Sequence, residues 1–339
     1  MKKTTGYLTI PKSYQPILDI RETEIAIKQI KDHFEQELAK VLKLTRVSAP
    51  LFVYSESGLN DNLSGVEHPV SFTAKDIGNS VEIVHSLAKW KRLALHRYGF
   101  NIGEGLYTDM DAIRKDEDLD NLHSIYVDQW DWEKVISKQQ RNKETLKHTV
   151  KKIYDVFKST ENLVYKLYPQ IGKALPADIF FITSQQLEER FPNLSPKERE
   201  HEIAKLKGAV FISEIGDKLK SGKKHDNRSP DYDDWNLNGD ILLWYPLLNK
   251  PLELSSMGIR VDENSLEIQL EKANQEDLKQ LHFHSMLLNK ELPYTIGGGL
   301  GQSRICMYFL KKAHIGEVQA TIWPQSIVNK CRQSNIFLL

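Results

Sequence analysis

The chain has 339 residues, 40% hydrophobic and 27% charged, so it can bury a sizeable core and is not a disordered chain. Lys plus Arg and Asp plus Glu number 46 each; zero net charge argues against a general nucleic-acid binder or a membrane-surface protein. No apolar run approaches the roughly 18 residues of a membrane span. Met1-Lys2-Lys3 followed by Thr4-Thr5-Gly6 is no signal-peptide core, and two cysteines, Cys306 and Cys331, fit plain thiols in a reducing compartment, so a cytoplasmic protein is expected.

Ile27, Ile30, Phe34, Leu38 and Val41 recur at helical spacing and predict a helix over Ile20 to Leu42. Thr45 to Tyr54 reads as a strand, which Pro50 restricts to an edge or interface. The stripe Leu146, Val150, Ile153, Phe157, Val164 and Leu167 predicts a long helix from about Glu133 to Tyr168, closed by Pro169. Asp178 to Thr183 reads as a buried strand. Ser195-Pro196-Lys197-Glu198 is a capping box with proline at the first helical position. Further strands are expected at Gly208 to Ser213, Ile241 to Tyr245 and Leu252 to Val261, with a polar, Gly- and Asp-rich stretch from Gly216 to Asp240 between. A helix near Asp277 to Asn289 precedes a glycine cluster and a last helix from about Gly301. Strands come in runs between long helices, without βαβ alternation. The expectation is one α+β domain over residues 1–339, with a mostly antiparallel sheet flanked by helices.

Several motifs fail. His201-Glu202-Ile203-Ala204-Lys205 begins like a zinc-protease helix but has lysine where the second imidazole should stand. Gly216 to Lys224 has the wrong spacing for a phosphate loop, and Lys224 replaces its Ser or Thr. His282 and His284, two apart, read as surface or core histidines.

Four segments concentrate unusual polar residues: Asp61-Asn62-Leu63-Ser64-Gly65; His85 to Arg92; Arg114 to Asp118 with Tyr126 to Glu133; and a scattered set. That set comprises Pro230 to Trp235, Asn238-Gly239-Asp240, Glu253 to Arg260 and Gly297 to Arg304. Taken singly, each passes as a solvated turn or a packing glycine. Together they supply cations for phosphate oxygens, carboxylates for Mg²⁺ and glycines on which a base can lie.

These segments resemble the signature motifs of class II aminoacyl-tRNA synthetases, especially the aspartyl and asparaginyl branch. The first helix plus the Pro50 strand, near residues 20–54, looks like motif 1, the dimerisation element. Arg114 to Asp118 with Tyr126 to Glu133 looks like motif 2, and Gly297 to Arg304 like motif 3. Ser86 to Lys91 is similar to an amino-acid-binding element of aspartyl enzymes, keeping its Ser and Lys. The resemblance is closer still to the ammonia-dependent asparagine synthetases, AsnA-type aspartate–ammonia ligases, and spans nearly the whole chain.

What the resemblance implies is a homodimer that uses ATP and Mg²⁺ to join L-aspartate and ammonia through a β-aspartyl-adenylate. It implies that Arg114 binds the α-phosphate and that Arg304 stacks on adenine or reaches the γ-phosphate region. Glu117, Val127, Leu254, Arg260 and Gly299 complete the implied ATP set, and Asp240 and Glu253 the metal pair. Aspartate falls to Ser86, Lys91, Gln129, Asp131, Asp233 and Ser256, with Gln129 also in the catalytic set. Asp61 is the implied site for ammonium and its proton. A competing reading makes Asp131 a helix N-terminal charge stabilised by the helix dipole. Asp240 and Glu253, 13 residues apart on strands flanking an expected hairpin, can converge.

A neutral chain of this length leaves no room for an anticodon module, so transfer RNA is not an expected partner. Residue 2 is Lys, and Cys306 lies among apolar residues, so neither offers the cysteine nucleophile that would release ammonia from glutamine. Two other readings stay open: a paralogue passing an activated amino acid to tRNA or protein, and a regulatory paralogue without turnover.

Overall fold

The computed structural model describes residues 8–61 and 67–339. Helix α1 spans Ile20–Leu42, as the periodicity predicts, with Asp19 and Glu22 forming a capping box at its start. Its stripe Ala26, Ile27, Ile30, Phe34, Leu38 and Leu42 is buried within the chain itself.

The strand expected over Thr45 to Tyr54 is two. β1 (Leu44–Arg46) and β2 (Phe52–Tyr54) belong to different sheets, and Pro50 lies in the break between them. β3 (Ser71–Thr73) and β4 (Ser80–Ile83) complete a small antiparallel sheet in the order β2-β4-β3. Next come α2 (Ala88–Arg97), β5 (Gly105–Ile113) and β6 (Tyr126–Val135).

β6 overturns one expectation. Its residues pair with β5 from Tyr126 to Lys134, so the following helix, α3, starts at Lys143 and ends at Leu167. Asn142 caps it by accepting from the Thr145 N–H. The apolar stripe identified the helix correctly, but Glu133 lies ten residues before its first helical residue. Asp131 is a strand residue, so the helix-dipole reading of it fails.

The chain continues through β7 (Phe180–Thr183), α4 (Ser184–Arg190), α5 (Pro196–Lys207), β8 (Ala209–Ser213), β9 (Asp233–Tyr245) and β10 (Lys250–Arg260). Ser195 and Glu198 cap α5 reciprocally, as expected. β9 takes in the last eight residues of the stretch expected to be irregular. Then come α6 (Glu263–Ala273), α7 (His282–Leu288), β11 (Thr295–Gly301), α8 (Gln302–Phe309) and α9 (Gln325–Gln333). The helix expected over Asp277 to Asn289 is a 3₁₀ turn, Glu276–Gln280, followed by α7. The glycine cluster is a strand, and α8 is not the last helix.

The main sheet runs β1-β5-β6-β11-β10-β9-β8-β7. Only the outermost pairs, β1/β5 and β7/β8, are parallel; the central strands are antiparallel. One face packs on α1, α3 and α8 through a core in which Phe34 stacks on Trp130 at 4.9 Å and meets Phe157 edge-on at 5.2 Å. Among the described residues, no helix is long and apolar enough to cross a membrane.

Candidate active site

The opposite face of the central strands carries the polar residues. Strand alternation on β6 puts Gln129, Asp131 and Glu133 on this face and Trp130 and Trp132 into the core. Neighbouring β11 must leave room for them. A Cβ on Gly297 would stand 1.9 Å from Glu133 Oε2, and one on Gly299 would stand 2.3 Å from Gln129 Oε1. The glycine cluster thus serves side chains of the adjacent strand.

On β10 a register shift between Glu253 and Ser255 changes the alternation. Ser256 pairs with Asp240 and Glu253 with Leu242, so Glu253 and Ser256 share a face although their numbers differ by an odd count. Leu252 and Leu254 join the core cluster, while Glu253 comes close enough to act on Asp240. Burial first, and the Glu253 charge in addition, push the Asp240 carboxyl up to about 6, against the opposing pull of Arg228.

Of these, Gln129, Asp131, Gly299, Asp240 and Glu253 line one cavity of about 390 Å³. Asp61, Ser86, Arg114, Glu117, Val127, Leu254 and Arg304 also line it, as do Lys91, Asp233, Arg260 and Ser256. Every site residue named from the sequence therefore meets in one place. Asn62, Leu63, Ser64 and Gly65, quoted with Asp61, lie outside the described residues.

The groups are not equally available. Lys91 is 1% exposed; its Nζ donates to the Gly298 carbonyl at 2.9 Å and lies 3.0 Å from Asp131 Oδ2. Burial lowers its pKa, and Asp131 pulls the other way. Asp131 Oδ1 is buried without a hydrogen-bond partner among the described residues. Arg260 spends its guanidinium on Glu133, at 2.7 to 3.1 Å, and on Asp233. Arg114 Nε, in contrast, is buried with no partner among the described residues, a donor suited to an anionic oxygen. Arg304 donates to the Glu253 carbonyl at 3.1 Å.

Sequence reasoning missed Arg228. Its guanidinium donates to Asp240 Oδ1 at 2.6 Å and to Ser256 Oγ, and its Nε lies 3.9 Å from Asp233. It bridges the expected metal and aspartate residues. A lone arginine two positions before Pro230, in a carboxylate-rich stretch, was the available signal. Asp128 was passed over too: it accepts from the Ser303 N–H at 3.1 Å and the Ser303 hydroxyl at 2.7 Å, anchoring the start of α8.

The profile of the aspartate–ammonia ligase family matches residues 21–335. The chain belongs to the aspartate–ammonia ligase family. A protein of Ruminiclostridium cellulolyticum named aspartate–ammonia ligase is 66% identical over 97% of this chain and 98% of its own. One of the same name from Fusobacterium nucleatum is 64% identical over 96% of this chain and all of its own. The fold also matches solved structures at low identity. Asparaginyl-tRNA synthetase of Pyrococcus horikoshii, complexed with asparaginyl-adenylate, superposes with a TM-score of 0.65 at 13% identity, over 90% of this chain and 71% of that one. Aspartyl-tRNA synthetase of Entamoeba histolytica gives 0.60 at 15% identity, over 89% and 59%. The α+β class II synthetase-like fold expected from the sequence is therefore the fold of this family member, and its central antiparallel strands carry the cavity. Cys306 and Cys331 are buried free thiols, with burial pushing Cys306 up to about 12.

Proposed function

We propose that this chain, as one catalytic unit, makes L-asparagine from L-aspartate, ammonia and ATP, releasing AMP and pyrophosphate. The observation that carries the reading is the convergence of Arg114, Arg304 and the Asp240–Glu253 pair in one cavity with an unsatisfied Arg114 Nε. Family membership and near-full-length identity to proteins of that name support it.

A carboxylate does not react with ammonia at useful rates; it needs a leaving group. Aspartate's side-chain carboxylate attacks the α-phosphorus of ATP, and pyrophosphate leaves. Ammonia then adds to the acyl carbon, and the C–O bond to AMP breaks. Arg114 holds the α-phosphate, Arg304 the adenine or distal phosphates, and Glu117, Val127, Leu254 and Gly299 shape the nucleotide's bed. Arg260, with its fork already shared between Glu133 and Asp233, supports that bed from beneath. Positioning and charge neutralisation supply most of the acceleration. Asp240 and Glu253 fit a hard cation that takes its other ligands from phosphate and water; Mg²⁺ bound there would neutralise phosphate charge.

Lys91 faces a carboxylate of aspartate. Asp131, through its unpaired Oδ1, and Asp233 face its ammonium group. Ser86, Gln129 and Ser256 fix its orientation. Asp61, 3% exposed at the cavity wall, binds ammonium and accepts its proton, because only free ammonia is nucleophilic. The high thiol pKa of Cys306 supports ammonia over glutamine as nitrogen source. The buried thiols fit a reducing cytoplasm, and the zero net charge offers transfer RNA no basic face.

Incubation with ATP, aspartate and ammonium is the test. AMP and asparagine should appear in equal amounts, and glutamine should not replace ammonium. Formation of ADP, or AMP without asparagine, overturns the reading.

A further inference from the structure

A second cavity, of about 270 Å³, adjoins the first, with Arg114 and Glu117 in the walls of both. Its other described walls are Glu67, His68, His85, Lys115, Asp116 and Asp118. Four carboxylates therefore face two fixed cations and two imidazoles. Asp116 accepts from the His68 N–H at 3.1 Å and lies 3.3 Å from Lys115. Asp118 is exposed at the rim.

His85 lines the second cavity, and its neighbours Asp61 and Ser86 line the first. It is 1% exposed, and its backbone N–H donates to Asn60 Oδ1 at 2.8 Å. Ring atom Nδ1 lies 3.1 Å from the Asp61 carbonyl oxygen. A carbonyl only accepts, so Nδ1 carries the hydrogen, and Nε2 of the neutral ring is a bare lone pair. That Nε2 is buried and, among the described residues, has no hydrogen-bond partner. Burial, with the Arg114 charge adding, holds the imidazole below its ordinary pKa, against the Asp61 carbonyl bond and the Asp61 and Glu67 charges. The ring therefore stays an acceptor at neutral pH.

A buried lone pair is unfavourable until something donates to it. The carboxylates lining the cavity select for positive charge. A compact cation with N–H donors and no lone pair of its own satisfies both demands. We infer that the second cavity recruits the ammonium ion, which donates an N–H to His85 Nε2 before passing Arg114 and Glu117 to reach Asp61. The inference rests on the reading of ammonia as nitrogen source. No bond is made or broken here: ammonium remains protonated, His85 binds it, and proton loss belongs to Asp61.

Two variants and two nucleophiles test this. His85→Phe removes the acceptor and keeps the bulk; Asp118→Lys reverses charge at the rim. Hydroxylamine is largely uncharged at neutral pH and needs no cation site. Each variant should raise KM for ammonium about fivefold or more, while KM for hydroxylamine stays within about twofold and the first-turnover pyrophosphate release is unchanged. The Asp118→Lys effect should shrink as salt screens the rim. An unaltered ammonium KM in Asp118→Lys, or equal losses for both nucleophiles, overturns the inference. If His85→Phe loses pyrophosphate release, the ring shapes the adenylate site and Asp118→Lys alone decides. Wild-type protein that forms adenylate yet never yields asparagine from ammonium would instead sink the proposed function.

Discussion

At the scale of single residues, the site separates side chains that are already engaged from those left waiting. Arg260 and Lys91 have protein partners, whereas Arg114 Nε and Asp131 Oδ1 are buried without any among the described residues. An orphaned guanidinium nitrogen marks where an anion belongs. Arg114→Lys keeps the charge but loses the planar fork, so pyrophosphate release should fall by about 100-fold or more, with Tm little changed. Arg304→Lys should behave likewise; near-normal release from either variant would show the phosphate assignment to be wrong. Asp61 is expected to separate the half-reactions. In Asp61→Asn, first-turnover pyrophosphate should persist while asparagine formation falls, as rapid quench can read directly. Loss of both together would mean that Asp61 orders its loop or binds aspartate, as an Asx-turn residue would.

Elements contribute through what they hold apart and what they hold shut. The β10 register shift aims Glu253 at Asp240, and Gly297 and Gly299 make room on β11 for β6 side chains. The chain's two ends are clasped by Tyr14, whose hydroxyl donates to the Glu317 carboxylate at 3.0 and 3.2 Å in the turn Ile315–Glu317. Burial raises the Glu317 carboxyl to about 7, although Lys312, the Tyr14 hydroxyl and backbone N–H groups draw it down. A raised folded pKa means that the fold binds an extra proton. The contribution is full below the unfolded carboxylate pKa of about 4.3 and is lost as pH rises through about 7. Glu317→Gln mimics the protonated acid. It should therefore melt above the wild type at pH 8, by an amount worth at most about 4 kcal/mol, and the gap should narrow toward pH 5. A gap independent of pH would remove Glu317 as the source.

For the whole molecule, the expectation is a homodimer. The α1 stripe cannot be its interface, since α3 and α8 already bury it. What remains exposed is Leu51, with Phe52, Tyr54 and Phe72 of the small sheet, where the Phe52 and Phe72 rings meet at 5.5 Å. Apolar side chains gathered in this way suit a two-fold contact with a second copy. Sedimentation at micromolar protein should give twice the chain mass, and Phe52→Asp should shift it toward the monomer. A wild-type monomer at that concentration refutes the prediction.

Much of this was legible in the residues alone. Helical periodicity gave the extent of α1, and the Ser195–Glu198 box gave the start of α5, because both signals are local. The residues that the family resemblance named do line one cavity of the fold. Local patterns could not place the start of α3, since Tyr126 to Val135 carries mixed polar and aromatic residues whose strand state depends on pairing with β5 and β11. Nor could they show that Thr45 to Tyr54 divides between two sheets. Arg228 acquires meaning only when Asp240, Ser256 and Asp233 arrive around it from β9 and β10. His85 becomes an unsatisfied acceptor only once Asp61 claims its other nitrogen. The sequence by itself determined which chemical groups are present and which short elements carry them. Tertiary structure alone decided which of those groups are satisfied by the protein and which are left for a ligand, because that depends on partners distant in the chain.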